Sequence, residues 1–373
     1  MAAILDRRML RDFDWILVLL AIGIVAFGSW QIHNALPTQD LWQKQLIGLG
    51  IAFVVMLTVA FTDYHKLVNV APAFYIFGLF LLVLVVIPGI GLKINGHRSW
   101  IRVPGLGQFQ PSEFVKVTTA LMLTHYFSKP RQCALTLREM IVGCIILFIP
   151  VSLIMLEPDA GSVLTYLPLL TIALFLSSLR MRVVIAALIL STVTIPAAYI
   201  VGVKTGLIKN YQQERINVIL DPENADRRGI GYHTWQSILT IGEGGLTGAP
   251  SSAEFSQSNL KFLPEPQTDF IFAVTSEHTG FIGAALLLAV YALLLTRLIA
   301  SARSARDRAG MLVIMASVGG LAFQIFINIG MAMGLLPVVG VPLPLMSAGL
   351  ASLIATFIII GFAISVRLRR YTN

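Results

Sequence analysis

The chain has 373 residues, of which 56% are hydrophobic and 12% charged, and its mean hydropathy is +0.80. That balance excludes a soluble globular domain and identifies a polytopic membrane protein. The net charge of +8 follows from membrane topology, as shown below, and gives no ground for a nucleic-acid partner.

Apolar stretches approaching the roughly 20 residues needed to cross the hydrocarbon core occur at 14–30, 44–62, 70–92, 112–127, 140–156, 162–179, 183–201, 269–296, 310–334 and 344–366. The expected fold is therefore all-α: one integral membrane domain over residues 1–373 with about ten transmembrane helices. The first span follows Arg7, Arg8 and Arg11 and leads to Ser29-Trp30-Gln31 without a small-x-small cleavage site, which reads as a retained anchor. With the N-terminus inside, Lys66, Lys129, Arg138, Arg182, Arg297, Arg303, Arg306, Arg308, Arg367, Arg369 and Arg370 also fall on the cytoplasmic side. The short outer loops keep Lys44, Lys93, Arg98 and Arg102. The positive-inside rule then puts both termini in the cytoplasm. The one long connection, Gly202 to Thr268 between the seventh and eighth spans, is correspondingly extracytoplasmic.

Several polar groups interrupt this pattern. Asn95-Gly-His-Arg-Ser-Trp-Ile-Arg102 leads into Gln110-Pro-Ser-Glu113 and Lys116. Glu113 and Lys116, three apart, share a helical face and can pair; a structural pair is the first reading. Lys116 with Arg98, Arg102 and, from the long loop, Arg215 also offers the positive field that a pyrophosphate requires. Cys133 falls in a cytoplasmic loop and Cys144 inside a helix, so no disulfide is expected. Glu157-Pro-Asp-Ala-Gly161 reads as a solvated turn. In the long loop, Tyr232, Trp235, Ile238 and Leu239 share one helical face, which either lies along the outer interface or packs on the bundle. Gly242 to Gly248 follows as a flexible glycine turn without the Lys-Ser/Thr of a nucleotide loop.

The most telling stretch is Leu263 to Phe272, LPEPQTDFIF, where the polar loop enters an apolar helix and leaves Asp269 at the entrance. A carboxylate there is a functional-site candidate by default; the bland alternative is an acid that suits the helix dipole. Ala273, Ser276, Gly280 and Gly283 form a row of small residues that lets another helix approach closely and turns Asp269 toward the bundle. Glu277 lies about two turns deeper, roughly 12 Å by helix rise. Prolines and glycines from Asn328 to Pro344 break the chain between the last two spans. At membrane depth such a break needs protein or water to satisfy its backbone, which implies a neighbouring cavity. No metal-ligand spacing or Ser-His-Asp order is present.

These motifs resemble the SEDS family (shape, elongation, division and sporulation proteins). They are NGHRSWI from Asn95, QPSEFVK from Gln110, EPDAGS from Glu157, LDPENAD from Leu220, GYHTWQS from Gly231, IGEGGLTG from Ile241, LPEPQTDFIFAV from Leu263 and PVVGVPLP from Pro337, which together span nearly the whole chain. The GVPLP wording is nearer the elongation branch than the division branch. The resemblance implies a peptidoglycan glycosyltransferase of the bacterial inner membrane, active in cell elongation and rod shape. Such an enzyme polymerises lipid II on the outer side, beside a class B penicillin-binding protein and other elongation-complex proteins. Its catalytic aspartate falls on Asp269. Two stretches depart from the family pattern: Gln267 stands where relatives usually carry His, and Ser347-Ala-Gly-Leu-Ala351 where they carry Ser-Tyr-Gly-Gly-Ser.

The implied chemistry suits the residues. An acceptor hydroxyl loses a proton as it attacks the donor sugar, and undecaprenyl pyrophosphate leaves. A positioned carboxylate such as Asp269 can be the general base, and Lys116, Arg98, Arg102 and Arg215 can stabilise the leaving group, with Glu113 and Gln267 as their neighbours. No cofactor is required; a divalent cation can supply part of the positive charge, although no ligand set marks a site for one. A lipid II flippase and a non-catalytic scaffold that activates a penicillin-binding protein are the rival readings.

Overall fold

The computed structural model describes residues 12–94, 97–103, 107–129, 134–157, 159–179, 201–206, 231–249 and 262–370, with isolated positions at 182, 183, 185, 194, 197, 200 and 213. Most of the predicted span 183–201 lies outside these residues, as do Cys133 and Arg215. The described helices are α1 (Trp15–Ala35), α2 (Leu41–Phe61), α3 (Tyr64–Asn69), α4 (Ala71–Val86), α5 (Pro111–Phe127), α6 (Leu137–Leu156), α7 (Ala160–Leu176), α8 (Tyr232–Glu243), α9 (Ile271–Arg303), α10 (Arg308–Ala332) and α11 (Leu350–Leu368). Of these, α1, α2, α6, α9, α10 and α11 are long and apolar enough to cross a membrane, and α4 and α7 are shorter apolar helices. Their outward residues, among them Leu19, Val54, Ile76, Phe80 and Leu286, are large and apolar, as a lipid-facing surface requires.

Helix starts follow local chemistry. The side chains of Asp14, Asp159 and Asp307 accept from Leu17 N, Ser162 N and Gly310 N, each satisfying an N–H that the helix itself leaves open. Thr136 and Glu139 form a reciprocal capping box at α6. Asp14, 2% exposed, also receives Arg297 and Arg367, and Asp12 pairs with Arg370 at 2.8 Å. These ion pairs knot the start of α1 to the ends of α9 and α11.

Two apolar clusters form the interior. One joins α1, α2, α9, α10 and α11 through residues such as Leu17, Met56, Tyr291, Ile314 and Phe357. The other joins α4, α5, α6, α7 and α10 through Leu82, Leu123, Ile154, Tyr166 and Leu312. Helices α5 and α10 contribute to both, so polar residues on their facing sides lie at the seam.

Three features depart from the sequence reading. Residues 91–109 form a small antiparallel sheet, β1 (Gly91–Ile94), β2 (His97–Val103) and β3 (Gly107–Phe109), in the order β1-β2-β3. A bulge between Leu92 and Lys93 sets them opposite Trp100 and Arg98. The last helix begins at Leu350 instead of 344: Pro342 and Pro344 cannot extend a helix, and Leu345 adopts φ 66°. The eighth predicted span is one helix only in outline, because Gly280 breaks α9 with φ 65° and ψ −168°.

That break gives the glycine turn its purpose. The N–H groups of Phe281 and Ile282 donate to the carbonyls of Gly245 and Leu246 at 2.9 and 3.2 Å, while Ala249 N donates to Glu277 O at 2.8 Å. The turn is therefore anchored, not flexible, and satisfies backbone groups that the interrupted helix leaves open. The small-residue row of α9 receives this turn: the backbone of Gly244 abuts Ser276 O. Helix α8 buries Thr234, Ser237 and Thr240, with Ser237 Oγ donating to Ala332 O at 2.7 Å, and it turns Ile238 and Leu239 outward.

A Cβ at Gly244 would lie 2.0 Å from Ser276 O, whereas one at Gly242 would meet nothing within 4 Å. Gly244→Ala should therefore cost about 1–3 kcal/mol, as overpacking typically does, and lower the thermal midpoint in detergent. Gly242→Ala, inside α8, should leave that midpoint unchanged or raise it slightly; an equal loss at both would mean that the turn does not pack on α9 as described.

Candidate functional site

The fourth predicted span, 112–127, matches α5, and its polar residues face inward. Pro111 opens the helix, where its missing N–H costs nothing. Glu113 and Lys116 are 4% and 8% exposed, and Lys116 Nζ lies 2.8 Å from Glu113 Oε1. Burial of either charge alone would be strongly destabilising, so the expected i,i+3 pairing has a physical necessity behind it. The ammonium also donates to Gln324 Oε1 on α10 at 2.9 Å. A small cavity lies beside this pair, between α5, α7, α10 and α11, lined by Glu113, Lys116, Ser317, Gln324 and Thr356 among others; no residue of the 328–344 break, beside which a cavity was expected, lines it.

Between α10 and α11 the chain is non-helical, and side chains from three helices, α2, α9 and α10, hold its carbonyls. Asn328 Nδ2 donates to Val341 O at 2.7 Å and Gln324 Nε2 to Pro342 O at 3.0 Å. Tyr291 OH donates to Pro344 O at 2.6 Å, and Gln45 Nε2 to Ser347 O at 3.0 Å. Gly161 at the start of α7 packs directly on Val339 O.

Asp269 sits where this segment meets the mouth of α9. Phe270 is the N-cap of α9, with no side-chain cap of its own, and Asp269 stands one residue before it, where a carboxylate also suits the helix dipole. Three consecutive carbonyls are tied down: Gln267 O by Ala348 N at 2.9 Å, Thr268 O by Ser347 Oγ at 2.5 Å, and Asp269 O by Asn328 Nδ2 at 2.9 Å. The Asp269 carboxylate lies beside Gly340, whose φ is 73°; a Cβ there would stand 3.4 Å from Asp269 Oδ2. The neighbouring Phe270 ring stacks on His233 of α8, with centroids 6.4 Å apart.

The other expected residues are placed as follows. Gln267 Nε2 donates to Glu265 Oε2 at 2.9 Å. Arg98 and Arg102 lie on β2, opposite Lys93 and Gln108, Arg98 half-buried and Arg102 exposed, and neither joins the Glu113–Lys116 pair. In the turn after α6, expected to be solvated, one of the two acids is buried. Glu157 is 1% exposed, and its two carboxyl oxygens have no hydrogen-bond partner among the described residues. Burial above all, reinforced by the charge of Asp159 and opposed by the Ser99 hydroxyl, pushes its carboxyl up to about 8. Asp159 instead accepts from Ser162 Oγ at 2.6 Å and Gln110 Nε2 at 2.9 Å. Gln324, Asn328 and Gly340 escaped the sequence reading as site residues; the sole hint was the break they border. Among the described residues no group of three or more His, Cys, Asp or Glu could hold a metal ion.

The sequence profile of the FtsW/RodA/SpoVE family, described as cell cycle protein, matches residues 11–372. The peptidoglycan glycosyltransferase MrdB of Escherichia coli is 34% identical over 364 residues, covering 96% of this chain and 94% of that protein. A chain from a peptidoglycan synthase complex, described for its structural coordination of polymerization and crosslinking, superposes with a TM-score of 0.81 at 32% identity, covering 97% of this chain and 99% of that one. The rod shape determining protein RodA of Thermus thermophilus superposes with a TM-score of 0.70 at 29% identity, over 97% and 98% of the two chains.

The buried Glu157 has a measurable signature. Its carboxyl titrates at about 8 when folded and at 4.5 when exposed, so between those values the folded state holds a proton that the unfolded state releases. This contribution to stability is complete below pH 4.5 and falls as pH rises to about 8. Glu157→Gln should flatten the decline of the thermal midpoint across that window; an unchanged slope would place the titrating group elsewhere.

Proposed function

The chain belongs to the FtsW/RodA/SpoVE family, and from that membership we propose that it is a RodA-like peptidoglycan glycosyltransferase in which Asp269 is the general base. The observation that carries the assignment is the placement of Asp269: it stands at the mouth of α9, with the carbonyls of Gln267, Thr268 and Asp269 all held and its carboxylate beside Gly340. A base so fixed loses little freedom when it meets the acceptor, which is the condition for efficient proton transfer.

In the proposed reaction, Asp269 takes the proton of the GlcNAc 4-hydroxyl on one lipid II-type substrate as that oxygen bonds to C1 of MurNAc on the other. The bond from C1 to the pyrophosphate oxygen breaks, and undecaprenyl pyrophosphate leaves with the electron pair. Arg98 and Arg102, on a sheet with basic residues at its surface, and Arg215 of the long loop supply positive charge for the leaving group. Lys116 is buried against Glu113 and Gln324, and its part is to hold the site together. The catalytic side is extracytoplasmic, both termini are cytoplasmic, and the working partner is a class B penicillin-binding protein. The likeness to a chain of a peptidoglycan synthase complex supports that pairing.

Asp269→Asn preserves shape and removes the proton acceptor. Polymerisation of labelled lipid II by the purified protein with its partner should fall about 100-fold to 10,000-fold, with the thermal midpoint and partner binding unchanged. Long glycan made at the wild-type rate would overturn the assignment. For topology, Ser252→Cys in a background lacking Cys133 and Cys144 should react with an impermeant thiol reagent in intact spheroplasts. Protection there, with labelling of Ser304→Cys, would invert the orientation.

A further inference from the structure

Two sets of polar contacts, joined through the Val341–Pro342 peptide, run from the buried ion pair to the main chain of Asp269. Lys116 Nζ is 2.8 Å from Glu113 Oε1 and donates to Gln324 Oε1 at 2.9 Å. Gln324 Nε2 donates to Pro342 O at 3.0 Å, the adjoining Val341 O accepts from Asn328 Nδ2 at 2.7 Å, and the same Nδ2 reaches Asp269 O at 2.9 Å. An ammonium has donors only. Lys116 therefore dictates that the oxygen of Gln324 faces it and that the amide nitrogen faces Pro342. Gln324 and Asn328, four apart, project from one face of α10 one turn from each other, and they are 3% and 0% exposed. Both amide nitrogens are partnered, as burial demands, while Asn328 Oδ1 has no partner among the described residues.

We propose that Gln324 and Asn328 are positioning residues for glycosyl transfer: they carry the fixed geometry of the Glu113–Lys116 pair to the backbone of Asp269 and hold its carboxylate against Gly340. The inference rests on Asp269 being the base. It explains how an ion pair walled into the bundle bears on chemistry at the mouth of α9. Displacing a reacting group by about 1 Å can cost about 100-fold in rate. Asn328 sits at the last link, and Ser347 provides a parallel tether through Thr268 O.

The test is a cycle of Asn328→Ala and Asp269→Asn in the full-length protein with its partner, read as kcat and KM for lipid II. Asn328→Ala alone should lower kcat about 10-fold to 100-fold with little change in KM. In the Asp269→Asn background it should lower the residual rate less than about twofold, because there is no base left to position. The same factor in both backgrounds would mean a general structural effect and overturn the inference while leaving the base assignment intact. An Asp269→Asn protein as fast as the wild type would instead remove the base assignment, and this inference with it. Should Asn328→Ala not fold, Gln324→Met and Ser347→Ala enter the same cycle with the same two outcomes.

Discussion

A stretch of non-helical chain inside a membrane bundle must have its carbonyls and amides satisfied by protein, because lipid offers no partner and each unmet group costs several kcal/mol. The segment between α10 and α11 meets that demand through side chains distributed over the fold: Gln45 from α2, Tyr291 from α9, Gln324 and Asn328 from α10, and Ser347 from within the segment. The placement of these polar residues in otherwise apolar helices follows from that need. Since Asn328 and Ser347 also hold Asp269 and Thr268, the same solution fixes the loop that carries the proposed base.

The two apolar clusters meet at α5 and α10, and this seam is where polar groups are tolerated. Glu113 and Lys116 face α10 across it. A single apolar core would have had no place for them, whereas a seam lets a charged pair be surrounded by amides and hydroxyls and remain buried. The break in α9 follows the same logic at another place: the turn from Gly244 to Gly248 approaches so closely because its glycines bring no Cβ against Ser276 O or His278 O.

Much of this was readable in the residues. Apolar runs marked the described spans, spacing of three marked the Glu113–Lys116 pair, and a lone acid at a loop-to-helix entry drew attention to the proposed base. The partners of these groups were not readable. Gln324 and Asn328 are neutral side chains in an apolar helix, and no periodicity says which carbonyl, 18 or 59 positions away, each will meet. Glu157 looked like part of a solvated turn because Pro and Asp follow it; its burial depends on tertiary contacts that the local sequence does not encode. Gly280 looked like a packing glycine, since one glycine in a helix costs only about 1 kcal/mol and does not announce its φ. The small sheet was missed because β1 and β3 have only four and three residues and β2, HRSWIRV, lacks the apolar–polar alternation that marks a strand.

The interruption at Gly280 also sets a height. From Phe281 to Thr296, the last residue before the charged Arg297, the second part of α9 rises roughly 24 Å at 1.5 Å per residue, short of a hydrocarbon layer of roughly 30 Å. The first part, Ile271 to Thr279, therefore completes the crossing, which brings Asp269 at its tip to the edge of that layer. A substrate whose polyprenyl tail stays dissolved in the bilayer can present its sugars at that level without being lifted out, and a lengthening polysaccharide can leave sideways into water without crossing oil.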